Sequence, residues 1–233
     1  MVALRPPRLD APAEEVARIA AAAPDWASLA AVASSCLACP ELAAARQHVV
    51  VGDLPLNGRP RFALVGEAPG ATEDETGRPF VGRSGALLDQ LLAEAGLDRA
   101  ECAVLNVVKC RPPANRTPKA PEVARCSGWL HRQLELLDPP AVVALGLSAA
   151  KFFLGPRTVL GEARGRPHHI DGRDVWATYH PSAAVDAGDH ERRGGDRLPH
   201  ADARADALGQ GRLARTQRTD EDDEVAGAQH VGE

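Results

Sequence analysis

Four short apolar runs recur along the chain, each separated from the next by a stretch long enough for a helix. They are FALVG (62–66), AVLNVVK (103–109), AVVALG (141–146) and DVWATYHP (174–181). Short runs of this kind, bounded by Gly, Pro or polar residues, have the signature of buried strands. Between the first two lies SGALLDQLLAEAG (84–96), which sets Leu87, Leu88, Leu91, Leu92 and Ala95 on one helical face, with Ser84 as N-cap and Gly96 as the stop. Residues 119–137 predict a second helix with Pro121 in its first turn, and LSAAKFFLG follows the third run directly. Strand and helix alternate, so the pattern predicts an α/β fold: three layers, α/β/α, around a central, mainly parallel four-stranded sheet. Sites in such sheets lie at the carboxyl ends of the strands.

The segments flanking this core differ in character. Residues 11–33 are alanine-rich and predict a helix, giving an N-terminal helical extension over 1–33 before a main domain at 34–185. From 186 to 233 no aromatic residue occurs and Leu and Val are sparse, too little apolar surface to offset ordering entropy, so an acidic disordered tail is expected there. A short helix around 201–214 is the one alternative. Residues 1–185 hold 20 Lys/Arg and 20 Asp/Glu; the tail holds 7 and 12 and so accounts for the net charge of −5. The acidity therefore belongs to the tail, and bulk charge gives no sign of a nucleic-acid partner. No apolar run is long enough to span a bilayer, and the N-terminus lacks the apolar core of a secretory signal. A cytoplasmic monomer is expected, in a compartment where clustered cysteines serve as metal ligands or catalytic groups rather than disulfides.

Five cysteines are present. Cys36 and Cys39 form a Cys-x2-Cys pair ahead of the first strand, Cys110 ends the second, and Cys126 lies in the helix after it. A pair plus two distant thiolates can close a cage around structural zinc or a four-iron cluster. Cys102, beside the second strand, reads as a small buried hydrophobe.

Three strand ends carry polar groups. VGEAPGATEDETGRPFVGRSG (65–85) has neither the glycine spacing of a dinucleotide-binding turn nor the Gly-Lys-Ser/Thr of a phosphate loop. It offers Glu67 at the lip of a turn and Phe80 between Pro79 and Gly82. LNVVKCRPPANR (105–116) crowds Asn106, Lys109, Cys110, Asn115 and Arg116 at the end of the second strand. TYHPSAA (178–184) places His180 just past the fourth, its backbone restricted by Pro181.

The motifs GEAPGATEDETGRPFVG, NVVKCRPPANR and HPSAA, with four cysteines interleaved, closely resemble the family 4 uracil-DNA glycosylases, iron–sulfur members of their superfamily, over about Cys36 to Ala184. The resemblance implies a DNA-repair hydrolase that releases free uracil and leaves an abasic site. It also implies a 4Fe-4S cluster on Cys36, Cys39, Cys110 and Cys126, and uracil-containing DNA, double- or single-stranded, as partner. By the same resemblance Glu67 and His180 are catalytic, and Asn106 reads the uracil edge with the main chain of Ala68 assisting. Phe80 stacks on the flipped base, Ser182 holds phosphate, and Lys109, Arg111 and Arg116 reach the DNA backbone. A related branch that traps DNA covalently carries a basic insertion where PPANRTPKAPE here runs straight through, so trapping is not expected. After HPSAA the family's leucine-bearing loop is replaced by VDAGDHERRGG, through divergence or a shifted reading frame. Two rival classes are a non-catalytic iron–sulfur carrier and a zinc-stabilised nucleic-acid or nucleotide-binding module.

Overall fold

The computed structural model describes residues 4–56 and 58–183. Among these, the chain order is α1 (Ala13–Ala21), α2 (Trp26–Ser34), α3 (Pro40–Ala45), β1 (Phe62–Gly66), α4 (Ala71–Thr76), α5 (Arg83–Glu94), β2 (Cys102–Asn106), α6 (Ala120–Leu137), β3 (Ala141–Leu145), α7 (Leu147–Leu154), α8 (Leu160–Ala163), β4 (Pro167–Ile170) and β5 (Arg173–Thr178). The acidic tail, with the helix considered at 201–214, lies outside the described residues.

The sheet order is β2-β1-β3-β5-β4. The four anticipated strands are mutually parallel, and every residue of β1, β2 and β3 is buried, as expected when both faces of a sheet are covered. Alternate residues feed two cores. Ala63 and Val65 join Trp129, Leu130 and Leu134 of α6 on one face, while Phe62 and Leu64 join Leu88 and Leu92 of α5 on the other. The three-layer α/β/α architecture follows.

The sheet has a fifth strand beyond the four expected. β4 pairs antiparallel with β5 through a turn at Asp171 and Gly172, both with positive φ (50° and 78°). Asp-Gly is the favoured dipeptide for such a hairpin. The expected single helix over 11–33 is two: Pro24 follows the end of α1, and the Asp25 carboxylate caps α2 by accepting from Ser28 N at 2.8 Å. Val16, Ala20, Leu29, Val32 and Ala33 belong to the same core as the sheet and α6. Gly82, not Ser84, occupies the N-cap of α5.

A segment before β1 protects the outer edge of β2: Asp53 and Val104 exchange backbone hydrogen bonds at 3.0 Å, and Val50 N donates to Lys109 O at 2.8 Å. The buried Asp74 carboxylate accepts from the Gln47 and His48 amides, tying this segment to α4.

The α1–α6 contact is close enough to test. A Cβ on Gly128 would stand 2.6 Å from the Ala17 Cα, whereas one on Gly161 of α8 would meet nothing within 4 Å. Alanine is favoured over glycine inside a helix by about 1 kcal/mol, but overpacking against backbone costs roughly 1–3 kcal/mol. Gly128→Ala is therefore expected to lower the urea midpoint and Gly161→Ala to raise it slightly. Equal shifts of the same sign would show that α1 does not pack tightly on α6.

Candidate active site and thiol pocket

The parallel register aligns the strand ends, with Gly66 opposite Asn106 and Leu145 opposite Thr178. The loops that leave these ends enclose a pocket of about 570 Å³. Glu67, Ala68, Phe80, Asn106, His180 and Ser182 all line it, so the sequence motifs converge in space.

Asn106 ends β2 with 2% of its surface exposed, and its Oδ1 has no hydrogen-bond partner among the described residues. A buried polar atom left unpaired costs about 1–3 kcal/mol. Gly66 makes room for it: a Cβ there would stand 2.6 Å from Asn106 Oδ1 and 2.5 Å from Phe80 Cζ. Backbone pairing continues past the strands, from Val107 N to Gly66 O and from Val108 N to Glu67 O, both at 2.9 Å, which fixes Glu67 beside Asn106.

Phe80 has φ +50° and its ring centroid lies 5.6 Å from that of His180. Two side chains hold this conformation. Glu73 accepts from Gly70 N, Val81 N and Gly82 N at 2.8–3.1 Å. Arg99 donates to Phe80 O at 2.9 Å and to Pro79 O at 2.7 Å. Gly85 completes the fit, since a Cβ would fall 1.9 Å from Phe80 O. The sequence reading missed Glu73 and Arg99. Glu73 had a local signal in its capping-box spacing from Gly70; Arg99, 19 residues from Phe80, had none.

His180 Nδ1 lies 3.2 Å from Ser182 N and 2.9 Å from Ser182 Oγ. A backbone amide only donates, so Nδ1 carries the lone pair and the ring proton sits on Nε2. Ser182, expected to hold phosphate, lines the pocket and hydrogen-bonds His180. The Glu67 carboxylate accepts a hydrogen bond from Ser148 Oγ, another residue the sequence reading missed. The N-termini of α5 and α7 also border the pocket, and both favour negative charge.

The expected backbone-contacting residues fare differently. Lys109 is not available to DNA: only 1% of it is exposed, and Nζ donates to Asn106 O at 2.6 Å. Burial pushes the Lys109 ammonium down to about 8, partly opposed by Cys126 and Cys110. Arg116 lines the pocket while gripping Glu122 at 2.7 Å and Glu41 at 3.1 Å. Arg111 is partly exposed, with Nε donating to Asn115 Oδ1 at 2.7 Å.

Cys36, Cys39, Cys110 and Cys126 line a second, small pocket with Leu42, Trp129 and the guanidinium-bearing Arg46 and Arg125. Lys109 N lies 3.3 Å from Cys126 Sγ, and Arg46 donates to Cys110 Sγ at 3.5 Å and to Cys36 O at 2.6 Å. Burial, with neighbouring thiols, pushes Cys39 up to about 11 and Cys110 up to about 12, and raises Cys126 further. Thiols so placed ionise only with positive charge supplied, as a bound metal does. Donor chemistry, encirclement and hydrogen-bond donors aimed at sulfur therefore fit a thiolate-held metal group. Among the described residues no group of three or more His, Cys, Asp or Glu side chains is placed to hold a single metal ion. Cys102 lies apart in the other core, its Sγ donating to Asp98 O at 3.3 Å.

The sequence profile described as "Uracil DNA glycosylase superfamily" matches residues 55–194. A type-4 uracil-DNA glycosylase of Thermotoga maritima is 48% identical over 63% of this chain and 76% of its own length. One from Archaeoglobus fulgidus is 41% identical over 55% of this chain and 69% of its own. A type-5 uracil-DNA glycosylase of Thermus thermophilus is 34% identical, over 64% and 83%. The chain belongs to the uracil DNA glycosylase superfamily, on its type-4 branch.

Proposed function

We propose that this chain excises uracil from DNA by hydrolysing the N-glycosidic bond, leaving an abasic site. The observation that carries this is the buried Asn106 amide, its Oδ1 unpartnered, facing a 570 Å³ pocket beside Phe80 and His180. A base taken out of the stack is read by its hydrogen-bonding edge and by stacking. Uracil presents a donor at N3 beside an acceptor oxygen, the complement of a carboxamide; cytosine would leave the buried amide mispaired, at about 1–3 kcal/mol per unmet group. Phe80 is held rigid enough to stack on the ring, and the Ala68 main chain borders the same pocket.

As the C1′–N1 bond breaks, its electron pair passes to uracil and positive charge develops on the sugar. His180, with its proton on Nε2, donates to a uracil oxygen as charge gathers there, an oxyanion-hole role. Glu67 supports the cationic sugar and orients the water that adds to C1′. Arg116, which lines the pocket, and the partly exposed Arg111 suit phosphate contacts. Uracil-containing DNA, double- or single-stranded, is the partner in this reading. A monomer and a cytoplasmic location go with this proposal; no helix among the described residues is long and apolar enough to cross a membrane.

The thiol pocket suits a 4Fe-4S cluster on Cys36, Cys39, Cys110 and Cys126. Structural zinc is the other group that four such thiolates hold, whereas in a cluster each thiolate takes its own iron. Such a group would tie the N-terminal segment to the end of β2 and to α6, bracing the loop that carries Arg111 and Arg116.

One preparation separates the readings. The purified protein should be brown and should release free uracil from a uracil-containing oligonucleotide. Colour without release would favour an electron carrier, and a colourless, inert protein a zinc module. Asn106→Asp should keep colour and fold while lowering uracil release at least about a hundredfold, because a carboxylate cannot donate to uracil and repels the departing anion. Near-normal release would remove Asn106 from base reading. Cys110→Ser and Cys126→Ser should each give colourless, poorly soluble protein, whereas Cys102→Ser should stay brown and active. Loss of iron from the Cys102 variant would refute the ligand assignment.

A further inference from the structure

The turn between β3 and α7 touches both catalytic side chains. Gly146 has φ +90°, and its N donates to Thr178 O at 2.8 Å, locking the ends of β3 and β5 together. A Cβ on Gly146 would stand 2.9 Å from the His180 Cβ, so the glycine lets His180 settle directly against the turn. Two residues on, Ser148 lies in the first turn of α7 and its Oγ donates to Glu67 Oε2. Glu67 and Ser148 are 81 residues apart in sequence, and this is the one hydrogen bond to the Glu67 carboxylate among the described residues. Oε1 therefore keeps its lone pairs for the pocket that Glu67 lines.

From this juxtaposition we infer that Ser148 is a positioning residue for Glu67: its hydroxyl fastens Oε2 and so aims Oε1 at the attacking water and the sugar. The inference rests on the glycosylase reading given above. A glutamate has three rotatable bonds, and without a tether its carboxylate samples positions from which it supports neither water nor oxocarbenium. Misplacement of a reacting group by 1 Å can lower a rate on the order of 10²-fold. Base reading by Asn106 and Phe80 does not involve Ser148, so the loss should fall on the chemical step.

The test uses the full-length, cluster-loaded protein and a uracil-containing oligonucleotide, with single-turnover rates and DNA affinity measured separately. Ser148→Ala should melt where the wild type does, bind the oligonucleotide within about twofold, and cut uracil roughly tenfold to a hundredfold more slowly. Ser148→Thr, which keeps the hydroxyl, should recover most of the rate. In a Glu67→Gln background Ser148→Ala should add little further loss, because a residue acting through another has no separate effect once that other is gone. Additive losses in the double variant would overturn the inference, as would a Ser148→Ala protein that cleaves at the wild-type rate. Weakened DNA binding with an unchanged rate would also overturn it, making Ser148 a phosphate contact. A wild-type protein that releases no uracil would instead defeat the glycosylase reading and this inference with it.

Discussion

The site depends on in-register parallel pairing of β1 with β2, which sets Gly66 directly opposite Asn106. Because side chains alternate faces along a strand, a slip of one residue would turn the Asn106 amide to the opposite layer. The register holds because each neighbouring residue of the two strands is buried in one of two different cores. Hydrophobic burial here does more than stabilise the sheet: it fixes which face of the molecule carries the amide. The ladder's continuation through Val107 and Val108 then carries Glu67 to the same place.

Around that fixed point, two charged side chains do the fine placement, Glu73 from the pocket lining and Arg99 from outside it. Glu73 satisfies the backbone amides of Val81 and Gly82 beside Phe80 and that of Gly70 ahead of α4, and Arg99 satisfies the carbonyls of Pro79 and Phe80. Each is a charge-assisted bond to backbone, stronger than a neutral one. Together they hold Phe80 at a positive φ that a bulky residue does not adopt unaided. A stacking ring that waits in position loses little conformational entropy on binding.

Lys109 joins the two pockets physically. Its backbone amide lies against Cys126 sulfur, its ammonium holds the Asn106 carbonyl, and its neighbour is Cys110. Sequence placed it among the residues for DNA phosphates, since a lysine in a polar loop is usually solvated. The structure buries it where the chain leaving β2 packs into the core shared with α6, and burial lowers its ammonium with Cys126 and Cys110 only partly opposing the shift.

Sequence alone determined the layered α/β class, the strands whose ends line the larger pocket, and the four cysteines that share the smaller one. These were legible because the strand and helix signals are local, repeating every two or 3.6 residues, and because the motifs are contiguous. The Asp-Gly hairpin that adds β4 was equally local but overlooked, and Pro24 with Asp25 announced the break between α1 and α2. What tertiary structure decided is long-range. Ser148 reaches Glu67 across 81 residues, Arg99 reaches Phe80 across 19, and α1 lies against Gly128 of α6. No periodicity encodes such pairs, because they exist only once separate elements have packed and their side chains compete for the same few buried partners.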